Sequence, residues 1–216
     1  MTEWTIVRHG ETDWNVAHRF QGHVDIPLNA RGRLQAERLA QRLADEHFDA
    51  VYCSDLARTR ETLAPLAARL GVAPVADSAL REQAFGVLEG LDLAEILARH
   101  ADVWDDWRRH DADYAPPGGG ESNRAFHARV NDAFVRIGRA HPHERVLVVC
   151  HGGVLDMLWR SVNALSLHGA RDCTIPNAGL NRLRSRGDHF EIIDWADDAH
   201  VADLGGVHPV RLSETA

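Results

Sequence analysis

Three short stretches, Trp4–Val7, Ala50–Cys53 and Val146–Cys150, are apolar without the alternation of a half-exposed strand. Such runs suit strands covered on both faces, the situation in a parallel sheet flanked by helices. Between them the apolar residues change to a helical period. Leu39, Ala40 and Leu43 form one stripe, Leu63, Leu66, Ala67 and Leu70 a second, and Phe126, Val130, Ala133, Phe134 and Ile137 a third. Strand and helix therefore alternate, which specifies an α/β architecture with these three strands at the sheet centre. Pro65 lies inside the second stripe, where it removes a backbone hydrogen bond and is expected to interrupt or kink the helix. Leu180–Leu183 and Phe190–Trp195 flank Arg186-Gly187-Asp188 and read as a hairpin at one edge of the sheet. Tyr114–Gly120, with two prolines and three glycines, is a loop too short to link domains. From Asp197 onward no period is evident.

A chain of 216 residues can bury one large core, so residues 1–216 are expected to form one domain. No apolar run reaches the roughly 20 residues of a bilayer span, which argues against a membrane partner. Met1–Ile6 has neither the basic start nor the apolar core of a signal peptide, and a cytoplasmic location is the expectation. The cysteines Cys53, Cys150 and Cys173 are far apart and have no CxxC spacing, so neither a disulfide framework nor a zinc site is expected. A formal net charge of −8 disfavours a general nucleic-acid binder, and any anion site must be local. The histidines, 14 in all, include no HExxH-type pair, and no metal site is expected.

The chemistry gathers where apolar strands end. The first strand runs into Val7-Arg8-His9-Gly10-Glu11-Thr12-Asp13-Trp14-Asn15. Ligands of parallel α/β sheets bind at the carboxyl ends of strands, and Gly10 allows a sharp turn there. Taken alone, an Arg and a His at a strand end are compatible with an ordinary turn. The Val146–Cys150 strand, however, ends in His151-Gly152-Gly153, and a helix starting after Gly152 would add backbone N–H groups and a positive dipole end suited to a dianion. The Ala50–Cys53 strand ends in Ser54-Asp55-Leu56-Ala57-Arg58, with Asp55 as the expected N-cap and Arg58 in the first helical turn. A guanidinium arriving at the same edge can bind phosphate oxygens through two bonds at once.

At this point the chain resembles the histidine phosphatase superfamily, also called the phosphoglycerate mutase-like family. The resemblance runs from Arg8 to about Asn177. It rests on Arg8-His9-Gly10-Glu11-Thr12, Gln21-Gly22 with Pro27-Leu28, Ser54–Arg58, Leu80-Arg81-Glu82 with Phe85-Gly86 and Glu89-Gly90, Gly120-Glu121-Ser122 and His151-Gly152-Gly153, in that order. The fold then expected is a three-layer α/β/α sandwich. Its central sheet has about six mostly parallel strands with an antiparallel edge, and a cap insertion occupies about residues 91–120. The resemblance implies that His9 is the nucleophile and that Arg8, Arg58 and His151 hold the phosphoryl group. It further implies Asn15, Gln21, Gly22 and Gly152 as binding residues and Glu82 as proton donor. Two arginines and a second histidine would supply the charge that a metal supplies elsewhere, so neither metal nor cofactor is expected. The partner is a small phosphorylated substrate, with a homodimer left open.

Relatives differ in what receives the phosphoryl group. Phosphatases give it to water; mutases, primed by a bisphosphate such as 2,3-bisphosphoglycerate, return it to a second hydroxyl. Phe85 replaces the mutases' tyrosine, Leu91-Asp92-Leu93 lacks their lysine, and Gly90–Gly120 is shorter than their insert. These departures favour a phosphatase. Trp107-Arg108-Arg109 resembles a mutase stretch whose arginines grip a second acidic group; the alternative is a solvated helical turn. A binding module that had lost catalysis is a further alternative, but His9, Arg58, Glu82 and His151 are all present.

Overall fold

In the computed structural model, which describes residues 1–205, the three apolar runs are neighbouring strands of a six-stranded sheet. The strands are β1 (Thr2–Arg8), β2 (Ala50–Cys53), β3 (Val75–Ala76), β4 (Arg145–Cys150), β5 (Leu180–Arg186) and β6 (His189–Asp197). The helices are α1 (Asp13–Val16), α2 (Ala30–Arg42), α3 (Ala57–Leu70), α4 (Leu93–Arg99), α5 (Ala101–Trp107), α6 (Asn123–Ala140) and α7 (Gly152–Val162). The strand order is β3-β2-β4-β1-β5-β6. The first four strands are parallel, and β5 and β6 add the antiparallel hairpin, turned at Gly187 with φ of +65°. The short β3 has no counterpart among the strands expected from the sequence, because two exposed residues carry no pattern.

Side chains of the central strands alternate between two buried layers. Trp4, Ile6, Val146, Val148 and Cys150 pack with Phe126, Val130, Phe134, Leu155 and Leu158 of α6 and α7. Val7, Val51, Cys53, Leu147 and Val149 pack with Leu39 of α2, Leu43 just past its end, and Leu63 and Leu66 of α3. Both faces are thus covered, which explains why polar alternation is absent from the sequence. Each such aliphatic or aromatic side chain contributes about 1.5–3 kcal/mol of burial.

Two local expectations are corrected. Asp55 does not cap α3: Leu56 occupies the N-cap position without a side-chain bond, and Asp55 instead forms a bidentate pair with Arg81 at 2.7 and 2.6 Å. Helix α3 also runs through Pro65 unbroken, with its buried stripe intact on both sides of the proline. Helix α7 starts at Gly152 itself, with His151 as its N-cap residue. The segment expected as a cap carries α4 and α5 on a small core of its own, where Leu88, Ile96 and Val103 meet Phe20, Phe85, Trp104 and Trp107. Helix α4 opens with a capping box between Asp92 and Glu95. Beyond β6 the chain makes a short 3₁₀ turn at Ala202–Leu204, and the rest of the tail, 206–216, lies outside the described residues. Among the described residues no helix is long and apolar enough to cross a membrane.

Candidate active site

Strands β1 and β4 are adjacent and end in register, with Arg8 opposite Cys150. The next residue on each is a histidine, and their rings lie 5.2 Å apart, inclined by 60°. The backbone at His9 is held from several elements. Its N–H donates to Cys150 O (2.9 Å), Asn177 Nδ2 donates to its carbonyl (2.9 Å), and the following Gly10 N–H donates to Thr62 Oγ1 of α3 (2.9 Å). Ala178 N–H adds bonds to the carbonyls of Arg8 and His9.

The partners of the two imidazoles assign opposite tautomers. His9 Nδ1 lies 2.7 Å from Gly10 O, which can only accept, so Nδ1 carries the proton and Nε2 the lone pair. Arg58 Nε lies 3.2 Å from His151 Nδ1, and a guanidinium can only donate. His151 Nδ1 therefore accepts, and its Nε2 carries a proton, buried and without a partner. Burial, with the charges of Arg58 and Arg8, holds the His9 pKa well below its usual 6.5. Burial and Arg58 do the same to His151. Both rings are neutral at pH 7.

The guanidiniums are buried without a carboxylate bonded to them. Arg58 donates to the carbonyls of Gly22 (2.8 Å) and Val24 (3.0 Å) as well as to His151; Arg8 donates to Ile175 O (2.6 Å), and its Nε has no partner. Burial, followed by Arg171 and Arg58, lowers Arg8 to about 10, and burial lowers Arg58 to about 10. Both stay charged at neutral pH. Buried cations without bonded counter-charges are costly unless an anion joins them.

The Glu82 carboxylate is bonded at the start of α7. Both of its oxygens accept from Gly153 N–H (3.0 and 3.1 Å), and Oε1 also accepts from Gln83 N–H (3.0 Å). A Cβ on Gly153 would fall 2.1 Å from Glu82 Oε1, so this approach requires glycine. Asn15 closes a capping box on α1: its Oδ1 accepts from Thr12 N–H and lies 3.4 Å from Asn177 Nδ2, leaving its own amide N–H groups for a ligand. Gln21 is buried beside Gly22 with its amide oxygen unpaired. Gly22 has φ of +50°, and a Cβ there would meet Glu89 Oε1 at 2.0 Å.

Arg108 and Arg109 are the exception among the sequence-derived candidates. Both are exposed and pair with Asp105 (2.8 Å) and Asp106 (3.0 Å) one turn back, so the solvated-turn alternative describes them and they are not part of this cluster. Helix α5, which ends just before them, buries Val103 and packs its tryptophans inward, which turns the arginines to water. Conversely, Thr62, Asn177, His23 and Arg171 did not emerge from the sequence. His23 lies 2.8 Å from the Glu82 carbonyl through Nε2, and its N–H bonds Glu89. Asn177 immediately precedes the edge hairpin; because β5 runs antiparallel to β1, its beginning abuts the site, a cue available only once that pairing is known. Among the described residues one trio of metal-competent donors occurs, Asp111, Asp113 and His168, all exposed and outside this cluster; Asp113 is paired bidentately with Arg124.

Residues 4–198 match the model of the histidine phosphatase superfamily, branch 1. Phosphoglycerate mutase-like protein 4 of Arabidopsis thaliana is 37% identical over 206 residues, covering 94% of this chain and 88% of that protein. A metal-independent phosphoserine phosphatase of the same plant is 35% identical over 207 residues, covering 95% and 85%. Among solved structures, Bacillus stearothermophilus YhfR superposes with a TM-score of 0.86 at 30% identity, over 93% of this chain and all of that one.

Proposed function

The chain belongs to the histidine phosphatase superfamily, and on that premise we propose that it is a metal-independent phosphomonoesterase acting on a small phosphorylated metabolite through a phosphohistidine at His9. The observation that carries this reading is the pair of opposite tautomers: a bare His9 Nε2 beside a protonated, unpartnered His151 Nε2, next to two carboxylate-free buried arginines.

In the first step the His9 Nε2 lone pair attacks phosphorus in line, the Nε2–P bond forms and the P–O ester bond breaks. Glu82 acts as general acid, delivering a proton to the departing alkoxide. Arg8, Arg58, His151 Nε2–H, the Asn15 amide and the start of α7 at Gly152 hold the nonbridging oxygens, with Gln21 and Gly22 forming the wall. The tight Gly10 bond orients the ring and stabilises the charge it gains. In the second step water gives a proton to Glu82 and attacks phosphorus, the Nε2–P bond breaks, and inorganic phosphate leaves. These groups complete the cycle without a resident cofactor.

Return of the phosphoryl group to a second substrate hydroxyl is the competing fate. The exposed, internally paired Arg108 and Arg109 remove its main support among this chain's residues. Turnover of simple phosphomonoesters in EDTA, a trapped phosphoenzyme stable to base and labile to acid, and its loss in His9→Ala are the expected results. Full dependence on added metal, or an active His9→Ala protein, would contradict the mechanism. Primer-dependent isomer formation from 3-phosphoglycerate would identify a mutase instead.

A further inference from the structure

The loop after α7 brings a third guanidinium to the site. Arg160 of α7 is buried beside Asp156 (Nε–Oδ2 3.1 Å) and donates to the carbonyls of Ser166, Gly169 and Ala170, so that it grips the loop from within. The loop is also tied to the cap side, through Gly169 N–H to His110 O (3.2 Å) and Ala112 N–H to His168 Nδ1 (3.2 Å). Held from both sides, it ends in Arg171. A Cβ on Gly152 would lie 3.3 Å from Arg171 Nη1 and 3.5 Å from Arg8 Nε, so the two guanidiniums converge over the first residue of α7.

Arg171 is poorly neutralised. Its nearest carboxylate oxygen, Asp156 Oδ1, is 3.8 Å from Nε, and the other oxygen of that carboxylate is bonded to Arg160. Among the described residues its Nη groups donate to no protein acceptor. Its charge is the largest effect after burial that lowers Arg8, so the pair repel each other as they stand. Unlike Arg8 and Arg58, however, its side chain is 34% exposed and stands at the mouth, not the floor. The floor already offers donors for the transferred phosphate. Glu82 is bonded to Gly153, the neighbour of Gly152, so Arg171 and the proton donor flank the same helix start. An anion bound by Arg171 would therefore lie on the side from which the leaving group departs.

We propose that Arg171 is a specificity-determining residue that binds a second anionic group of the substrate, carried on the leaving-group side of the phosphoester. The inference rests on the phosphomonoesterase reading and narrows its substrate class. The chemistry is that of a carboxylate or a second phosphate, either of which can take two bonds from one guanidinium. The second-anion role thus passes from Arg108 and Arg109 to a residue of the loop after α7, whose course Arg160 fixes.

The test compares matched probes. O-phosphoserine and O-phosphoethanolamine differ by one carboxylate; fructose 1,6-bisphosphate and fructose 6-phosphate differ by one phosphate. The wild-type protein is expected to prefer the doubly anionic member of at least one pair by 10-fold or more in kcat/KM, and the preferred pair identifies the group. Arg171→Ala is expected to cut that preference at least 10-fold, mainly through KM, and Arg171→Lys to retain an intermediate preference. Equal losses on both members of a pair, an unchanged preference, or no preference in the wild type overturns the inference. A wild-type protein inert even to 4-nitrophenyl phosphate sinks the phosphomonoesterase reading itself, whereas one active on that ester but indifferent to the second anion sinks only this assignment.

Discussion

Replacing Glu82 with glutamine separates proton donation from shape. The carboxylate accepts from Gly153 N–H through both oxygens and from Gln83 N–H through Oε1. A glutamine keeps one acceptor oxygen for those donors, so the α7 start loses part of a charge-assisted interaction, on the order of 1.5–3 kcal/mol. The chemical step loses more. A general acid contributes typically about 10²- to 10⁴-fold, or roughly 3–5 kcal/mol of barrier, when the leaving alkoxide is a poor one. An aryl oxide such as 4-nitrophenolate leaves without a proton and should escape most of that loss. Steady-state kcat for Glu82→Gln is therefore expected to fall at least 100-fold on an alkyl phosphate but less than 10-fold on 4-nitrophenyl phosphate, with thermal unfolding confirming a folded protein. The same fractional loss on both esters would refute Glu82 as the donor and leave it as a structural cap of α7, with Glu11 or Glu89 as the carboxylates to examine next.

Gly153→Ala should reproduce this pattern without touching a titratable group, because the added Cβ, 2.1 Å from Glu82 Oε1 and 2.9 Å from Phe126 Cε1, displaces the carboxylate; kcat on alkyl phosphates should fall more than 10-fold, and wild-type kcat would refute the placement. Acid should destabilise the ligand-free protein. His9 and His151 have lowered pKa values when folded, so below pH 6.5 the unfolded chain binds more protons than the native one, and stability falls as pH drops toward the folded values. The slope is up to about 1.4 kcal/mol per pH unit for each ring, read from urea midpoints between pH 7.5 and 5.5; a flat profile that is the same in His151→Asn would contradict the buried neutral pair. Arg160→Met strands the buried Asp156 carboxylate, 8% exposed, and should cost about 3–5 kcal/mol. Adding Asp156→Leu should recover part of it in urea unfolding, and a single-variant loss under 1 kcal/mol would mean the pair does not hold the loop.

The apolar runs at Trp4–Val7, Ala50–Cys53 and Val146–Cys150, and the histidines after two of them, were readable because a strand covered on both faces leaves a continuous apolar imprint and parallel strands end at one edge. The same local logic failed at Asp55, whose carboxylate chose Arg81 over the helix start, while at Arg108 and Arg109, where the sequence left a solvated turn open, the pair faces water. Sequence alone therefore determined the layered α/β class, the edge where the site forms and the residues Arg8, His9, Arg58 and His151 that meet there. Only the tertiary structure decided how each of them is held. Strand β4 inserts beside β1 across more than a hundred residues of chain, in the register that sets the two rings together. Gly10 O and Arg58 Nε fix opposite tautomers, and Arg160 carries Arg171 to the mouth of the site. Hydrogen-bond partners and desolvation are supplied by segments distant in sequence, so no local pattern records them.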